Sequence, residues 1–126
     1  MLQEGRRKKR DKGPPPSVAE TWWPLIPALV LGFFSPQIYA VLEHQISWIT
    51  WFVFPFVLLS SRHELGLSPE LANSLPELMT VIQFPLEGLL TVWNLRRRAS
   101  FAAAIGQLLF LHALGAFVLF LLNQPK

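Results

Sequence analysis

The feature that most constrains this chain is a run of uncharged, mostly apolar residues near its C-terminus, Phe101–Leu122. No charged residue lies between Arg98 and Lys126. As an α-helix, the run would measure about 33 Å at about 1.5 Å per residue, which matches the hydrocarbon core of a bilayer at about 30 Å. We therefore expect an integral membrane protein.

The composition leaves little room for a separate soluble domain. The chain has 126 residues, of which 52% are hydrophobic, so four helices of membrane length would use most of it. It contains no cysteine, which excludes disulfides, thiolate metal sites and a cysteine nucleophile. Metal-ligand spacings, a nucleophile elbow and a glycine-rich phosphate loop are also missing from the sequence. We therefore predict a non-enzymatic protein with no cofactor.

Residues 1–17 form a strongly basic tail ahead of the apolar segments. Six of the 11 Lys and Arg residues lie within it: Arg6, Arg7, Lys8, Lys9, Arg10 and Lys12. Gly13 and three prolines follow, which favours a disordered, solvated segment. Such a tail predicts a cytoplasmic N-terminus and attraction to anionic lipid headgroups. It has no interleaved aromatic residues, which argues against nucleic-acid binding.

Serine and proline punctuation predicts an all-α bundle of four membrane helices. Ser35-Pro36, Ser68-Pro69 and the capping box 74–77 are each typical of a helix start. The helices are predicted at about 18–34, 36–60, 75–95 and 101–122. They make up one multi-pass domain, 18–122, which is followed by a short tail, 123–126. Residues 35–40 lack the small-x-small pattern of a signal-peptidase site, so we expect the first segment to be retained.

Two alternatives to this helix assignment stay open. Trp22–Leu42 could form one span kinked at Pro36, with residues 43–45 as a turn and 46–60 as a short second span. The third segment could instead lie on the membrane surface as an amphipathic helix, which leaves three spans. That arrangement returns Arg96, Arg97 and Arg98 to the cytoplasmic side and satisfies the positive-inside bias better.

Polar residues form a stripe along the predicted third helix. At 100° per residue, one side carries Thr80, Gln83, Glu87 and Thr91. A shorter stripe on the predicted second helix carries Tyr39, Glu43, Ser47 and Thr50. A carboxylate facing lipid at the centre of a span costs about 2.5–3.5 kcal/mol. We therefore predict a shared buried polar seam between the two helices, lined by Glu43 and Glu87.

The predicted fourth helix carries small residues on one side, including Ala102, Gly106 and Ala113. Small residues at this spacing let another helix approach closely, either within the chain or from a second molecule. His44 and His112 are the two histidines predicted within helices. We interpret His112 as a hydrogen-bonded packing residue rather than a haem ligand.

Three function classes follow from these features. The leading class is a non-enzymatic accessory or partner-binding membrane component, in which the stripe and the small-residue face serve helix association. The second is an oligomeric channel or transporter for ions, protons or small solutes that uses the seam. The third is an intramembrane enzyme. The compact size and short loops favour the bacterial inner membrane, with a homo-oligomer or another membrane protein as partner.

Overall fold

The structure is a computed structural model that describes residues 13–125, and these residues form helices without any strand. The basic cluster at positions 6–12 lies outside them. The helices are α1 (Val18–Trp22), α2 (Leu25–Gln45), α3 (Ser47–Val53), α4 (Pro55–Ser60), α5 (Pro69–Arg96) and α6 (Phe101–Leu122). A single 3₁₀ turn, His63–Leu65, lies in the loop before α5. The predicted all-α class is therefore confirmed.

Three helical segments in the described part of the chain are long and apolar enough to cross a membrane. They are Val18–Gln45, which joins α1 and α2, Pro69–Arg96 and Phe101–Leu122. The number of such segments is three where the sequence predicted four. The missing one is the predicted second helix.

The prediction of a helix start at Ser35-Pro36 is wrong, because α2 continues through both residues to Gln45. The Ser35 hydroxyl donates to the Leu31 carbonyl at 2.6 Å, so it bonds backwards along the same helix and does not cap a new one. Such a bond to the carbonyl four residues back is common for a serine inside a helix. The alternative with one span kinked at Pro36 is closer to the structure, although residues 43–45 form the last turn of α2.

The predicted helix at 36–60 is replaced by the end of α2 and two short helices of seven and six residues, α3 and α4. The chain leaves helical geometry at Ile46 and again at Phe54. Pro55 follows Phe54, and a proline disfavours helical geometry at the residue before it and donates no backbone hydrogen bond. We call residues 47–60 the hairpin.

The third predicted helix also begins earlier than expected. Ser68 accepts a hydrogen bond from the Leu71 amide, and Pro69 opens α5, as the Ser-Pro signal predicts. The capping box at 74–77 does not form. The Ser74 hydroxyl instead donates to the Glu70 carbonyl at 2.8 Å, and Pro76 lies inside the helix. The fourth helix has the predicted bounds, with Ser100 as its N-cap.

Helices α2, α5 and α6 run alternately up and down. A Cβ atom added to Gly88 would lie 2.4 Å from the Ala28 Cβ, and one added to Gly32 would lie 2.8 Å from the Pro85 ring. Residues early in α2 therefore face residues late in α5, so the two helices are antiparallel. The bond between Asn94 and Gln107 and the bond between Glu87 and His112 give α5 and α6 the same relation.

This arrangement fixes where the hairpin enters and leaves. The end of α2 and the start of α5 lie at the same end of the bundle, since the two helices are antiparallel. The break between α3 and α4 lies near the bundle centre, beside Gln83 and His112. His112 is ten residues before the end of α6, a depth of about 15 Å. The hairpin therefore enters the bundle, turns at its centre and leaves at the same end.

The other end of the bundle is basic. It carries Arg96, Arg97 and Arg98, with Arg96 bonded to the Thr21 hydroxyl and Arg98 to the Gly13 carbonyl. The Arg97 guanidinium lies 4.2 Å from the centre of the Trp93 ring. We call this the basic end. The bond between Arg98 and Gly13 places the start of the described chain beside the α5–α6 connection.

The distribution of polarity is reversed relative to a water-soluble protein. Large apolar side chains point outward from every long helix, whereas several polar side chains are buried: Thr21, Ser35, Thr50, Ser60, Gln83, Thr91 and His112. An apolar exterior suits a lipid environment. Buried polar groups are typical of functional sites in such proteins, so the candidate site is expected in the interior of the bundle.

Candidate functional site at the tip of the hairpin

The break at Phe54-Pro55 creates the candidate site by leaving backbone carbonyls without helical partners. In a continuous helix the Phe52 and Val53 carbonyls would accept from the amides four residues ahead. The turn at Phe54 removes both bonds. A buried backbone carbonyl needs another donor, because an unpaired one costs about 1–3 kcal/mol.

Side chains from two other helices supply those donors. The Gln83 amide nitrogen, on α5, donates to the Val53 carbonyl at 2.8 Å. His112 Nδ1, on α6, lies 2.6 Å from the Phe52 carbonyl oxygen. Gln83 is 2% exposed and His112 is 8% exposed. Buried hydrogen bonds thus hold the tip of the hairpin to α5 and to α6.

Glu87 completes the site from the next turn of α5. Its Oε1 atom lies 2.7 Å from His112 Nε2, so both ring nitrogens of His112 have a partner. The Glu87 side chain is 16% exposed. Thr91 donates its hydroxyl to the Glu87 backbone carbonyl at 2.9 Å and extends the polar region by one turn.

Aromatic rings enclose the site. Phe54 is fully buried and packs edge-on against Tyr39 on α2 and Phe84 on α5. Phe52 and Phe56 lie on the two sides of the hairpin break, and each places its ring about 6 Å from the His112 ring centre. The hydrogen bonds of the site are therefore shielded by apolar groups, which strengthens each bond and raises the cost of leaving one unmade.

Glu87 also borders three separate cavities. One, of about 190 Å³, extends towards Trp23 and Phe101 at the basic end. The second, of about 250 Å³, lies between α3 and α6 beside His112. The third, of about 240 Å³, lies on the other side of α5 and includes Gln83 and Phe56. Glu87 is the residue common to all three.

The structure separates the residues of the predicted seam. Gln83, Glu87 and Thr91 lie together at the bundle centre, and Thr50 is buried in α3. Thr80 bonds to the Pro76 carbonyl within α5. Tyr39 packs on Phe54. Glu43 and Ser47 are exposed where α2 ends and α3 begins, so the structure does not bring Glu43 to Glu87.

Two buried oxygen atoms of this region have no hydrogen-bond partner among the described residues. They are the Thr50 hydroxyl and Gln83 Oε1. The Gln83 amide therefore uses its nitrogen for the hairpin and leaves its oxygen unpaired. No group of three or more His, Asp or Glu side chains in residues 13–125 is arranged to hold a metal ion.

The backbone half of the site was not predicted from the sequence. His112 was interpreted as a packing residue, and it was grouped with Glu87 only among the candidate residues of an intramembrane enzyme, without a link to the hairpin. Pro55 inside an apolar stretch is the one signal that points to freed carbonyls. Which side chains would reach them depends on how α5 and α6 pack. His44 lies exposed in the last turn of α2, far along the bundle from His112.

The predicted helix-packing face on α6 points away from the bundle. Ala102, Gly106 and Ala113 are exposed, and a Cβ added to Gly106 would meet nothing within 4 Å. The inward side of α6 instead carries Ala104, His112, Gly115 and Leu119. The small-residue face thus has no partner within residues 13–125.

Comparison with known proteins identifies no relative: no family model, no curated protein and no solved structure matches the chain.

Proposed function

We propose that this chain is a non-enzymatic integral membrane protein that acts as an accessory component and associates with another membrane-spanning helix. The observation that supports this role is the outward face of Ala102, Gly106 and Ala113. In lipid, helix association depends on close packing and not on hydrophobic burial, so an unoccupied small-residue face favours a second helix. The partner is either another membrane protein or a second copy of the chain.

The proposed topology is three spans with a re-entrant hairpin, in place of four spans. The basic end holds three arginines beside Gly13, and the cluster Arg6–Lys12 precedes Gly13 in sequence. The positive-inside bias then makes this end cytoplasmic. The same basic residues would attract anionic lipid headgroups at about 1 kcal/mol each. The bacterial inner membrane is the proposed location.

The association is tested by substituting the small-residue face. Gly106→Leu fills the face from a position where nothing in the described chain lies within 4 Å of an added Cβ. Phe33→Leu, at a 74% exposed position on α2 and away from α6, is the control. The wild type and the control should migrate in a larger assembly after mild detergent extraction and cross-linking in the membrane. Gly106→Leu should migrate as a single chain with unchanged helix content.

A wild-type chain that stays single under both conditions would overturn the accessory proposal. An assembly that survives in Gly106→Leu would place the contact elsewhere. Mass analysis of the cross-linked species separates a second copy from a different protein.

Passage of protons or small ions is the second candidate function. The specific observation in its favour is that Glu87 borders three cavities near the bundle centre. Intramembrane carboxylates and broken helices are often found along ion and proton paths. Purified protein in liposomes should then dissipate a proton gradient, and Glu87→Gln should abolish this. If the wild type and Glu87→Gln show the same low rate of proton leak, this candidate function is eliminated.

A further inference from the structure

The hydrogen bonds of His112 specify how many protons the site holds. A backbone carbonyl carries no proton, so the 2.6 Å contact between Nδ1 and the Phe52 oxygen requires a proton on Nδ1. The 2.7 Å contact between Nε2 and Glu87 Oε1 also requires one proton. That second proton lies either on the nitrogen, giving an ion pair, or on the carboxyl, giving a neutral pair.

Both arrangements have the same proton count and the same net charge of zero. The pair is therefore described by one shared proton in addition to the proton on Nδ1. A buried pair without net charge avoids the large cost of an isolated buried ion. The structure thus corresponds to the pair that holds both the proton on Nδ1 and the shared proton.

Loss of the shared proton leaves one imidazole proton between two acceptors. If it stays on Nδ1, the bare Nε2 faces a carboxylate at 2.7 Å and both are acceptors. If it moves to Nε2, the bond to the carboxylate is kept and the Phe52 carbonyl loses its donor. Hydrogen bonds to a charged acceptor are about twice as strong as neutral ones, so the imidazole proton moves to Nε2 and is donated to the carboxylate.

We infer that Glu87 and His112 form a proton-binding site that latches the α3–α4 hairpin, and that release of one proton frees the tip of the hairpin at Phe52. The ligand is the proton, and the moving element is the hairpin. The Gln83 bond to Val53 is a second fastening that does not titrate. This inference does not depend on the small-residue face of α6 or on a partner.

Few other titratable groups surround the latch in the described chain. Helices α3 and α4 have none, and α6 has only His112. The remaining groups of α2 are Tyr39, Glu43 and His44, and those of α5 are Glu70, Glu77 and Arg96. Within hydrogen-bond or ion-pair distance of the His112 ring, only Glu87 is titratable. A pH response of the hairpin is therefore assigned to this pair.

Proton linkage gives the size of the expected response. When the hairpin is open, Glu87 and His112 are hydrated. At any pH where this open pair has lost its shared proton, the closed hairpin holds one more proton than the open hairpin. Free histidine loses its proton near pH 6.5, so the difference develops above about that value. The equilibrium constant for opening should then rise up to about tenfold per pH unit.

Cysteine labelling measures this opening in the full chain, which has no native cysteine. Thr50→Cys places a thiol at a buried position of α3 whose hydroxyl has no partner, and Trp48→Cys places one at an exposed position of the same helix. The ratio of the two labelling rates with a small thiosulfonate reagent cancels the intrinsic pH dependence of the thiol. We expect this ratio to rise between pH 6.5 and 8.5.

Glu87→Gln is the critical variant. Its amide nitrogen donates to Nε2 of neutral His112, so the latch keeps both bonds but lacks the shared proton. The labelling ratio should then stay low and independent of pH. Gln83→Leu removes the other fastening and should raise the ratio by the same factor at every pH while preserving the slope.

Three results would overturn the latch. One is a pH-dependent ratio in Glu87→Gln equal to that of the wild type. Another is a flat ratio in the wild type. The third is a Thr50→Cys thiol that never reacts or reacts as fast as the exposed thiol at all pH values, because the hairpin is then permanently closed or open.

Discussion

At the scale of single residues, the molecule is organised around two carbonyl groups. The Phe52 and Val53 oxygens are released by the break at Pro55 and are paired again by side chains 60 and 30 positions away along the chain. Ordinary membrane helices satisfy their backbone internally. Here the backbone depends on tertiary structure, so the side chains involved should be unusually sensitive to substitution.

Gln83 provides the simplest test of that dependence. Gln83→Leu keeps a similar volume but leaves the buried Val53 carbonyl without a donor, which should lower the free energy of unfolding by about 1–3 kcal/mol. Unfolding with a denaturing detergent in mixed micelles measures it. Thr80→Val is the control, since the Thr80 hydroxyl bonds only within its own helix. Equal losses in the two variants would contradict this account.

Arg98 is the only non-glycine residue in the described chain with a positive φ, at 64°. It occupies the left-handed position that ends α5, where the Ala99 amide bonds to the Asn94 carbonyl and the Arg98 amide to the Leu95 carbonyl. Glycine is preferred there because it has no Cβ. Arg98→Gly loses the exposed bond to the Gly13 carbonyl but relieves the left-handed backbone, so it should raise the free energy of unfolding by up to about 1 kcal/mol.

The matched substitution for Arg98 is Arg97→Gly, one residue earlier. Arg97 has a φ of −82°, so it gains nothing from glycine and loses its contact with Trp93. It should lower the stability in the same assay. A gain in Arg97→Gly, or a loss in Arg98→Gly, would show that backbone conformation does not govern this turn.

The sequence located the chemical centre of the site only in part. Its helical periodicity placed Gln83, Glu87 and Thr91 on one side of α5, and that grouping depends on a single helix. Glu43 was grouped with them through a helix that does not form. His112 was left out because nothing in α6 itself distinguishes a latch residue from a packing residue.

At the scale of elements, the two wrongly predicted helix starts, at Ser35 and at Ser74, have the same cause: a serine hydroxyl can either accept or donate a hydrogen bond. A serine before or near a proline caps a new helix when its hydroxyl accepts from a following amide, as Ser68 does. It lies inside a continuing helix when its hydroxyl donates to a carbonyl one turn back, as in Ser35 and Ser74. The local sequence is almost the same in both cases, so only the packing around the helix decides.

Close packing between elements is concentrated at glycines, which makes a paired comparison possible. A Cβ at Gly88 would lie 2.4 Å from the Ala28 Cβ, so Gly88→Ala should push α2 and α5 apart and cost about 1–3 kcal/mol. Gly106→Ala meets open space and should be neutral or gain up to about 1 kcal/mol from helix propensity. Thermal unfolding in detergent measures both. Similar values would argue against tight contact at Gly88.

At the scale of the whole molecule, the hairpin reconciles the charge distribution with the helices. Four spans would separate the three arginines at the end of α5 from the basic N-terminal tail. The proposed three spans with a re-entrant hairpin put both on one side while keeping α5 in the membrane. The sequence alone did not reach this arrangement, because neither of its two alternatives, a short second span at 46–60 and a third segment on the membrane surface, contains a re-entrant segment.

Cysteines at the helix ends test the proposed topology. Ser17→Cys and Ser100→Cys should label from the same side of the membrane, and Ser61→Cys and Gln124→Cys from the other. Four spans would instead put Ser17 and Ser100 on opposite sides. Reagents that cannot cross the membrane, applied before and after permeabilisation, distinguish the two patterns. Labelling of Ser61 on the side of Ser17 would contradict the re-entrant hairpin.

The position of the hairpin in the chain also has a consequence for the order of events during synthesis. Residues 47–60 emerge from the ribosome before Gln83, and well before His112, although those two side chains pair its freed carbonyls. Until α6 has been inserted, the tip of the hairpin has no complete set of donors and is not stable at the bundle centre. Truncation before α6 should therefore leave the hairpin outside the membrane core, because its insertion has to follow that of α6.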